Sequence, residues 1–402
     1  MFYSAGRSLL NNMNSFYATL KKASQDEWQF LQRSPWDLAL VTWMPWLAMA
    51  LMVALFWQSV PRALPIAVVD SSHSTISRDI IRKVASTPAI SVVAQPLNLA
   101  DAWPLVESNQ AHAVLYIPPQ TDKQIANNQP ATLFAFYNAT MTTAGGTAVR
   151  AIDAVVKQLN KDIAIQYNAF SLGPSVLKPA PVQAQVTLLY NPARNFEIFL
   201  IGLLLPGILH FVMCIALTSS YARELRDKTV QIWIDRVGGH TAGAIVGKAL
   251  PYVVLFSLYG MAAILWISYI RGDGIPGSLS ALLLGNVLLY CAYAAIALMI
   301  AALAPDMSSA LSGVGLYAGT SLAFCGATFP IDGASLFARM WHHLIPFSSF
   351  VKLDVAERYI NAPLSVTLFY LMCLALFVIV PSLIGYCAYK KALNNPEKWG
   401  RR

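Results

Sequence analysis

Charge is the scarcest commodity in this chain. Acidic and basic side chains together make up 12 % of the 402 residues, against roughly a quarter in soluble domains, so the chain is not an ordinary soluble protein. Cysteine is also sparse. Cys214, Cys291, Cys325, Cys373 and Cys387 all lie in apolar runs, and none falls in residues 59–195. That polar stretch therefore holds together without disulfides, and the absence of a CxxC or Cys/His cluster leaves a structural zinc site without ligands. A nucleotide cradle is missing too. The nearest approach, Gly243-Ala-Ile-Val-Gly247-Lys248-Ala249, has three residues between its glycines and an alanine after its lysine. A phosphate loop needs four residues there and a Ser or Thr after the lysine, so the stretch reads as small-residue helix packing. His342 and His343 are adjacent, and neighbours on a helix point about 100° apart. The pair reads as a surface or interface feature rather than a metal site.

What the chain does have is long apolar runs. One covers Leu38 to Trp57, and a dense block extends from Phe196 almost to the C-terminus. Each run is near the roughly 20 residues that a helix needs to cross a bilayer. The expected spans are 38–58, 196–219, 248–269, 279–303, 309–328 and 364–387, with 330–360 too polar to cross and assigned to short external or re-entrant helices. The first run starts too late and is too long for a signal peptide, and it lacks a small-residue cleavage site before Pro61. The cations cluster beside the spans: Arg7, Lys21, Lys22 and Arg33, then Arg223, Arg226, Lys228 and Arg236, and finally Lys390, Lys391, Lys398, Arg401 and Arg402. The positive-inside rule makes all three regions cytoplasmic, and this clustering points away from nucleic acid.

The fold class that follows is an α-helical polytopic membrane protein of six transmembrane helices. An α/β domain is inserted between the first and second spans. Residues 1–37 form a cytoplasmic N-terminus whose 14–34 stretch reads as an interfacial amphipathic helix, with Phe16, Leu20, Trp28 and Leu31 at helical spacing. Residues 59–195 alternate strand and helix signals: strands at 64–70, 90–94, 113–117, 132–137 and 182–189, with helices at 75–85, 99–108 and 144–170. A basic tail occupies 390–402. The cysteine pattern and the topology fit a bacterial inner membrane, with both termini cytoplasmic and the α/β domain in the periplasm. Transport, signalling and membrane-bound chemistry are the classes left open.

One cytoplasmic segment, 220–240, carries the sharpest signal. It joins Arg223, Glu224, Arg226, Asp227, Thr229 and Trp233 in a charged helix that ends at Gly238-Gly239, directly attached to two spans. Such an element is built to take a mechanical input from a soluble partner. Around it, in order, stand Pro206-Gly207, Ala222-Arg223-Glu224, Thr229, Gly247-Lys248 and Leu250-Pro251-Tyr252. Elsewhere in the chain are Glu27, Arg33, Pro35 and Pro45, then Asp70 closing the first strand, Tyr190-Asn191-Pro192, Phe329-Pro330 and Ile345-Pro346. The series resembles the type-2 permeases of ABC exporters over the whole chain. It departs from them at Lys228, where the family has glycine before the threonine, and at Arg236-Val237-Gly238, where the family has Thr-Pro.

The resemblance implies a second permease copy, identical or paralogous. A separate ABC ATPase subunit would dock beneath each permease and hold ATP-Mg, while this chain binds no cofactor itself. It leaves open a periplasmic membrane-fusion adaptor. The six residues of the 220–240 segment become the expected ATPase-coupling set. Glu197, His210 and Asn286 are the transport-path candidates, because ionisable or strongly polar groups inside spans mark function or interhelical bonding. The implied cargo is hydrophobic or amphipathic: a drug, a lipid or an envelope component. The competing reading is an ATP-independent receptor or scaffold whose external domain binds a ligand, and a membrane enzyme using His342 and His343 stands third.

Overall fold

The computed structural model describes residues 2–55, 62–108, 110–127, 129, 131–137, 142–171, 196–271, 274–327, 331 and 333–393, the side chains of 2–11, 142–143, 162–171 and 196–200 excepted. The chain divides into two units, one of Met1–Trp57 with Tyr190–Arg402 and one of Gln58–Leu189.

Helix α1 (Phe2–Arg33) opens the first unit. Pro35 ends it, since the ring suits only a first-turn position, and begins α2 (Pro35–Val41), followed by α3 (Trp43–Leu55). The joint lies at Thr42, whose hydroxyl donates to the Leu38 carbonyl at 2.6 Å. Pro45 can offer no N–H to the turn before it.

The second unit is a four-stranded sheet with helices on both faces. Its elements are β1 (Leu64–Asp70), α4 (Thr75–Ala85), β2 (Ile90–Ala94), α5 (Leu99–Glu107), β3 (Ala113–Ile117), α6 (Thr121–Ala126), β4 (Phe134–Tyr137) and α7 (Thr142–Ser171). Strand order is β2-β1-β3-β4, with β1 parallel to both β2 and β3, and β4 antiparallel to β3. The central strand β1 alternates between two cores. Ile66 and Val68 pack with Ile80, Val84 and Ile152, while Ala67 and Val69 pack with Ala102 and Val106. A strand buried on both faces needs the near-continuous apolar run that Leu64–Val69 supplies. Ser74 caps α4 through a reciprocal bond with Ser77, and Asn98 caps α5. The strand expected at 182–189 lies outside the described residues.

The first unit resumes with α8 (Phe196–Arg226), α9 (Val230–Val237) and α10 (Thr241–Leu265), which continues as a π-turn, Trp266–Ile270. Then come α11 (Leu279–Leu303), α12 (Met307–Gly319), α13 (Ser321–Phe324), α14 (Leu336–His343), α15 (Pro346–Val355), a second π-turn Ala356–Ile360, and α16 (Leu364–Leu393). Among the described residues, five helical stretches are long and apolar enough to cross a membrane: Pro35–Leu55, Ile201–Arg226, Thr241–Ile270, Leu279–Leu303 and Leu364–Leu393.

One expectation is corrected here. The run at 309–328 is not one continuous helix but the pair α12 and α13, broken at Thr320. Gly313, Gly315 and Gly319 weaken it, and Trp341 Nε1 donates to Thr320 Oγ1 at 2.9 Å, tying α14 to the break. The 330–360 segment, expected as short external or re-entrant helices, is exposed in one part and buried in another. Residues Leu336, Phe337 and Met340 of α14 are exposed, but Phe347, Phe350, Leu353, Asp354, Glu357 and Arg358 are buried in the helical core.

Candidate functional site

The α1–α10 crossing decides where the charged groups meet. Helix α1 presents Phe16, Thr19, Ala23, Glu27 and Leu31, at three- and four-residue spacing, and it lies against the first half of α10. A Cβ on Gly247 would stand 2.8 Å from Ala23 Cβ and collide with the Leu20 carbonyl, and one on Gly243 would stand 2.8 Å from the Phe16 carbonyl. Bare backbone at both positions lets the two helices touch. Trp28, read with Phe16, Leu20 and Leu31 as the apolar face of an interfacial helix, is 37 % exposed. Small residues make the interface with α10.

The close approach brings Glu27 onto Lys248, and both side chains are buried, at 1 % and 0 % exposure. Lys248 Nζ donates to Glu27 Oε2 at 2.9 Å and to Glu224 Oε1 at 3.0 Å, and it sits 4.4 Å above the Trp233 ring. Arg223 adds a 2.9 Å bond to Glu27 Oε2 and packs its guanidinium 3.4 Å over the Phe30 ring. Ser220 Oγ and Tyr252 OH donate to Glu27 Oε1 at 2.7 and 2.8 Å. Two acids therefore face two bases, and every oxygen of Glu27 is engaged. Burial pushes the Glu27 carboxyl up, but Lys248, Arg223 and the Ser220 hydroxyl outweigh it and hold the group below the usual carboxylate range.

Helix α9 hangs from this network. At the end of α8, the Lys228 amide donates to Leu225 and the Thr229 amide to Glu224, with Lys228 in the left-handed region at φ 58°. This is the Schellman arrangement, and glycine is its usual occupant. Thr229 Oγ1 donates to Glu224 Oε2 at 2.7 Å, fixing the turn to the cluster. A second such turn closes α9 at Gly238, φ 127°. Val230, Trp233, Ile234 and Val237 are buried beneath, while Gln231, Ile232, Asp235 and Arg236 are exposed, Ile232 by 60 %.

Four of the six expected coupling residues, Arg223, Glu224, Thr229 and Trp233, thus point inward and join α8 and α9 to α1 and α10. Arg226 and Asp227 are exposed and pair with each other at 2.8 Å. Sequence reasoning passed over Lys248 as part of a packing motif and took Glu27 only as a resemblance. The available signal was a lone acid on the apolar stripe of α1 and a lone base within Thr241–Ile270.

The transport-path candidates do not form one cluster. Glu197 lies in α8, but its side chain is outside the described residues. His210 is buried with its ring stacked on Tyr293 at 4.1 Å and tilted against Phe347 at 4.8 Å, and its Nδ1 donates to the Pro206 carbonyl at 2.8 Å. Asn286 is buried in α11, and its Nδ2 donates to the Ser257 carbonyl of α10 at 3.0 Å. His342 Nδ1 bonds the Phe324 carbonyl at 2.8 Å, while His343 is exposed. No group of three or more His, Cys, Asp or Glu that could hold a metal occurs among the described residues.

A second ionic node, missed in the sequence, lies at the opposite ends of α8 and α10. Glu357 accepts from the Ser278 amide at 2.7 Å and from Thr367 Oγ1, so it joins the first turns of α11 and α16. Arg358 pairs with Asp354 at 2.6 Å. The segment's polarity concealed this, since its charges are neutralised internally.

A family model described as ABC-2 family transporter protein matches residues 35–386. No curated protein matches the chain.

Proposed function

The chain belongs to the ABC-2 family of transporter proteins, a family of membrane permeases, and on that footing we propose that it is the transmembrane subunit of an ATP-driven exporter. ATP-Mg is held by separate ABC ATPase subunits on the cytoplasmic face, and two permeases pair. The observation that carries this reading is the Glu27–Lys248–Glu224–Arg223 network. It locks α1, α8 and α10 together directly behind α9, whose outer face is free among the described residues. A push on Ile232, Asp235 and Arg236 reaches two long apolar helices through a charge-balanced joint. Buried ion pairs of this kind favour one arrangement over its neighbours more than they add net stability.

The cargo is hydrophobic or amphipathic. Two apolar grooves support that reading. One, of about 820 Å³, runs between α3, α8 and α10 past Trp46, Val53, Leu205, Trp266 and Tyr269. The other, of about 450 Å³, runs between α10, α11 and α16 past Val253, Ala294, Leu298 and Leu383. The loop charges support a periplasmic α/β unit, which serves cargo capture or contact with an adaptor. The localisation proposed is a bacterial inner membrane.

The test is reconstitution with the partner ATPase in proteoliposomes. Hydrolysis should require the ATPase and rise with an amphipathic cargo, and the chain alone should hydrolyse nothing. Hydrolysis by the chain after removal of every co-purifying ATPase would reject the reading.

A further inference from the structure

Pro206 lies inside α8 and leaves one backbone acceptor without a helical donor. Pro206 has no N–H, so the carbonyl of Gly202, four residues earlier, loses its helical donor. Both residues line a small cavity between α8, α10, α11 and the 345–360 segment, together with Gly260, Asn286, Phe350 and Arg358. Asn286 is fully buried and its Oδ1 has no hydrogen-bond partner, although its Nδ2 is engaged with Ser257. The two glycines make room. A Cβ on Gly202 would stand 2.6 Å from the Arg358 guanidinium, and one on Gly260 would collide with Asn286 Oδ1.

The cavity gives a water molecule's centre about 10 Å³ in which to move, the size of a one-water site. Its chemistry is unbalanced in a way that one water corrects. Arg358 offers only donors, while Asn286 Oδ1 and the Gly202 carbonyl offer only acceptors. A buried orphan acceptor carries its full desolvation penalty, which favours an ordered water over dry space.

We infer that this cavity binds one structural water, which accepts from Arg358 and donates to Asn286 Oδ1 and to the Gly202 carbonyl. The water closes the gap that Pro206 leaves in α8 and joins that helix to α11 and to the 356–360 turn. Arg358, already held by Asp354, is the positioning residue of the site.

Synchrotron hydroxyl-radical labelling with mass spectrometry, on the full chain in lipid nanodiscs, reads ordered buried water through oxidation of the side chains beside it. Phe350, 2 % exposed and lining the cavity, should be oxidised at the shortest exposures, whereas Phe256, equally buried and away from it, should not. Asn286→Leu, which removes the acceptor, should lose the Phe350 label, and Asn286→Asp, which keeps a carboxyl oxygen there, should retain it. An unlabelled Phe350 in the unaltered protein overturns the inference, as does a label undiminished by Asn286→Leu. If the leucine variant fails to assemble, the unaltered protein and Asn286→Asp still decide the matter.

Discussion

Glu27 of α1 and Lys248 of α10 form a 2.9 Å ion pair at a point where neither side chain reaches solvent. Removing one member leaves the other with one ionic partner, Arg223 for Glu27 and Glu224 for Lys248. Glu27→Leu or Lys248→Met alone should destabilise the helical unit by about 1.5–3 kcal/mol, the usual worth of a hydrogen bond to a charged group. The double variant should be less damaging than the sum of the two. Thermal unfolding of detergent-purified protein in a double-mutant cycle measures this, and strict additivity would mean that the pair is not coupled.

The same carboxylate sets an acid limit. Its folded pKa lies below the ordinary 4.5, so its contribution is fully present above that value and is lost as pH falls through the depressed folded pKa. Unfolding temperature should hold steady on acidification to about the unfolded value and decline below it. Glu27→Gln should lack that particular decline. A profile identical in both proteins would remove Glu27 from the acid response.

Lys228 offers the opposite kind of change. A non-glycine residue at φ 58° carries left-handed strain of roughly 1–2 kcal/mol, while glycine costs somewhat less than that in unfolded-chain entropy. Lys228→Gly should therefore stabilise the protein by about 0.5–1 kcal/mol, read as a rise in unfolding temperature. A fall would show that the turn's geometry is not the controlling factor.

Gly247 and Gly313 provide a contrast in helix crowding. A methyl at Gly247 meets Ala23 and Leu20, whereas one at Gly313 finds its nearest atom at an ordinary 3.5 Å. Gly247→Ala should cost about 1–3 kcal/mol by overpacking and loosen α1, raising hydrogen exchange in its 16–31 stretch. Gly313→Ala should leave that stretch unchanged.

Much of the chain's layout could be read from pattern alone, and the failures share a cause. The runs at 64–70, 90–94 and 113–117 declared themselves as strands because apolar residues there are short, dense and bounded by turn formers. Long spans showed by length and hydropathy. Neither signal sees a helix crossing made by Ala23, Gly243 and Gly247, so the seat of α1 on α10 was not legible. Hydropathy also averaged through the glycines of 307–319 and missed the break at Thr320. At 354–358 it registered only polarity, and did not show that Asp354, Glu357 and Arg358 find their partners within the fold.

In the proposed function, force from an ATPase enters through the outer face of α9 and is carried inward by the Glu27–Lys248–Glu224 joint. The most direct measurement is retention of the partner ATPase on immobilised Ile232→Asp permease, alongside cargo-stimulated ATP hydrolysis by the same complex. Ile232 is 60 % exposed, so the substitution should leave unfolding temperature unchanged. Both ATPase retention and stimulation should be lost in a folded permease. Retention and stimulation equal to those of the unaltered protein would contradict the proposed route.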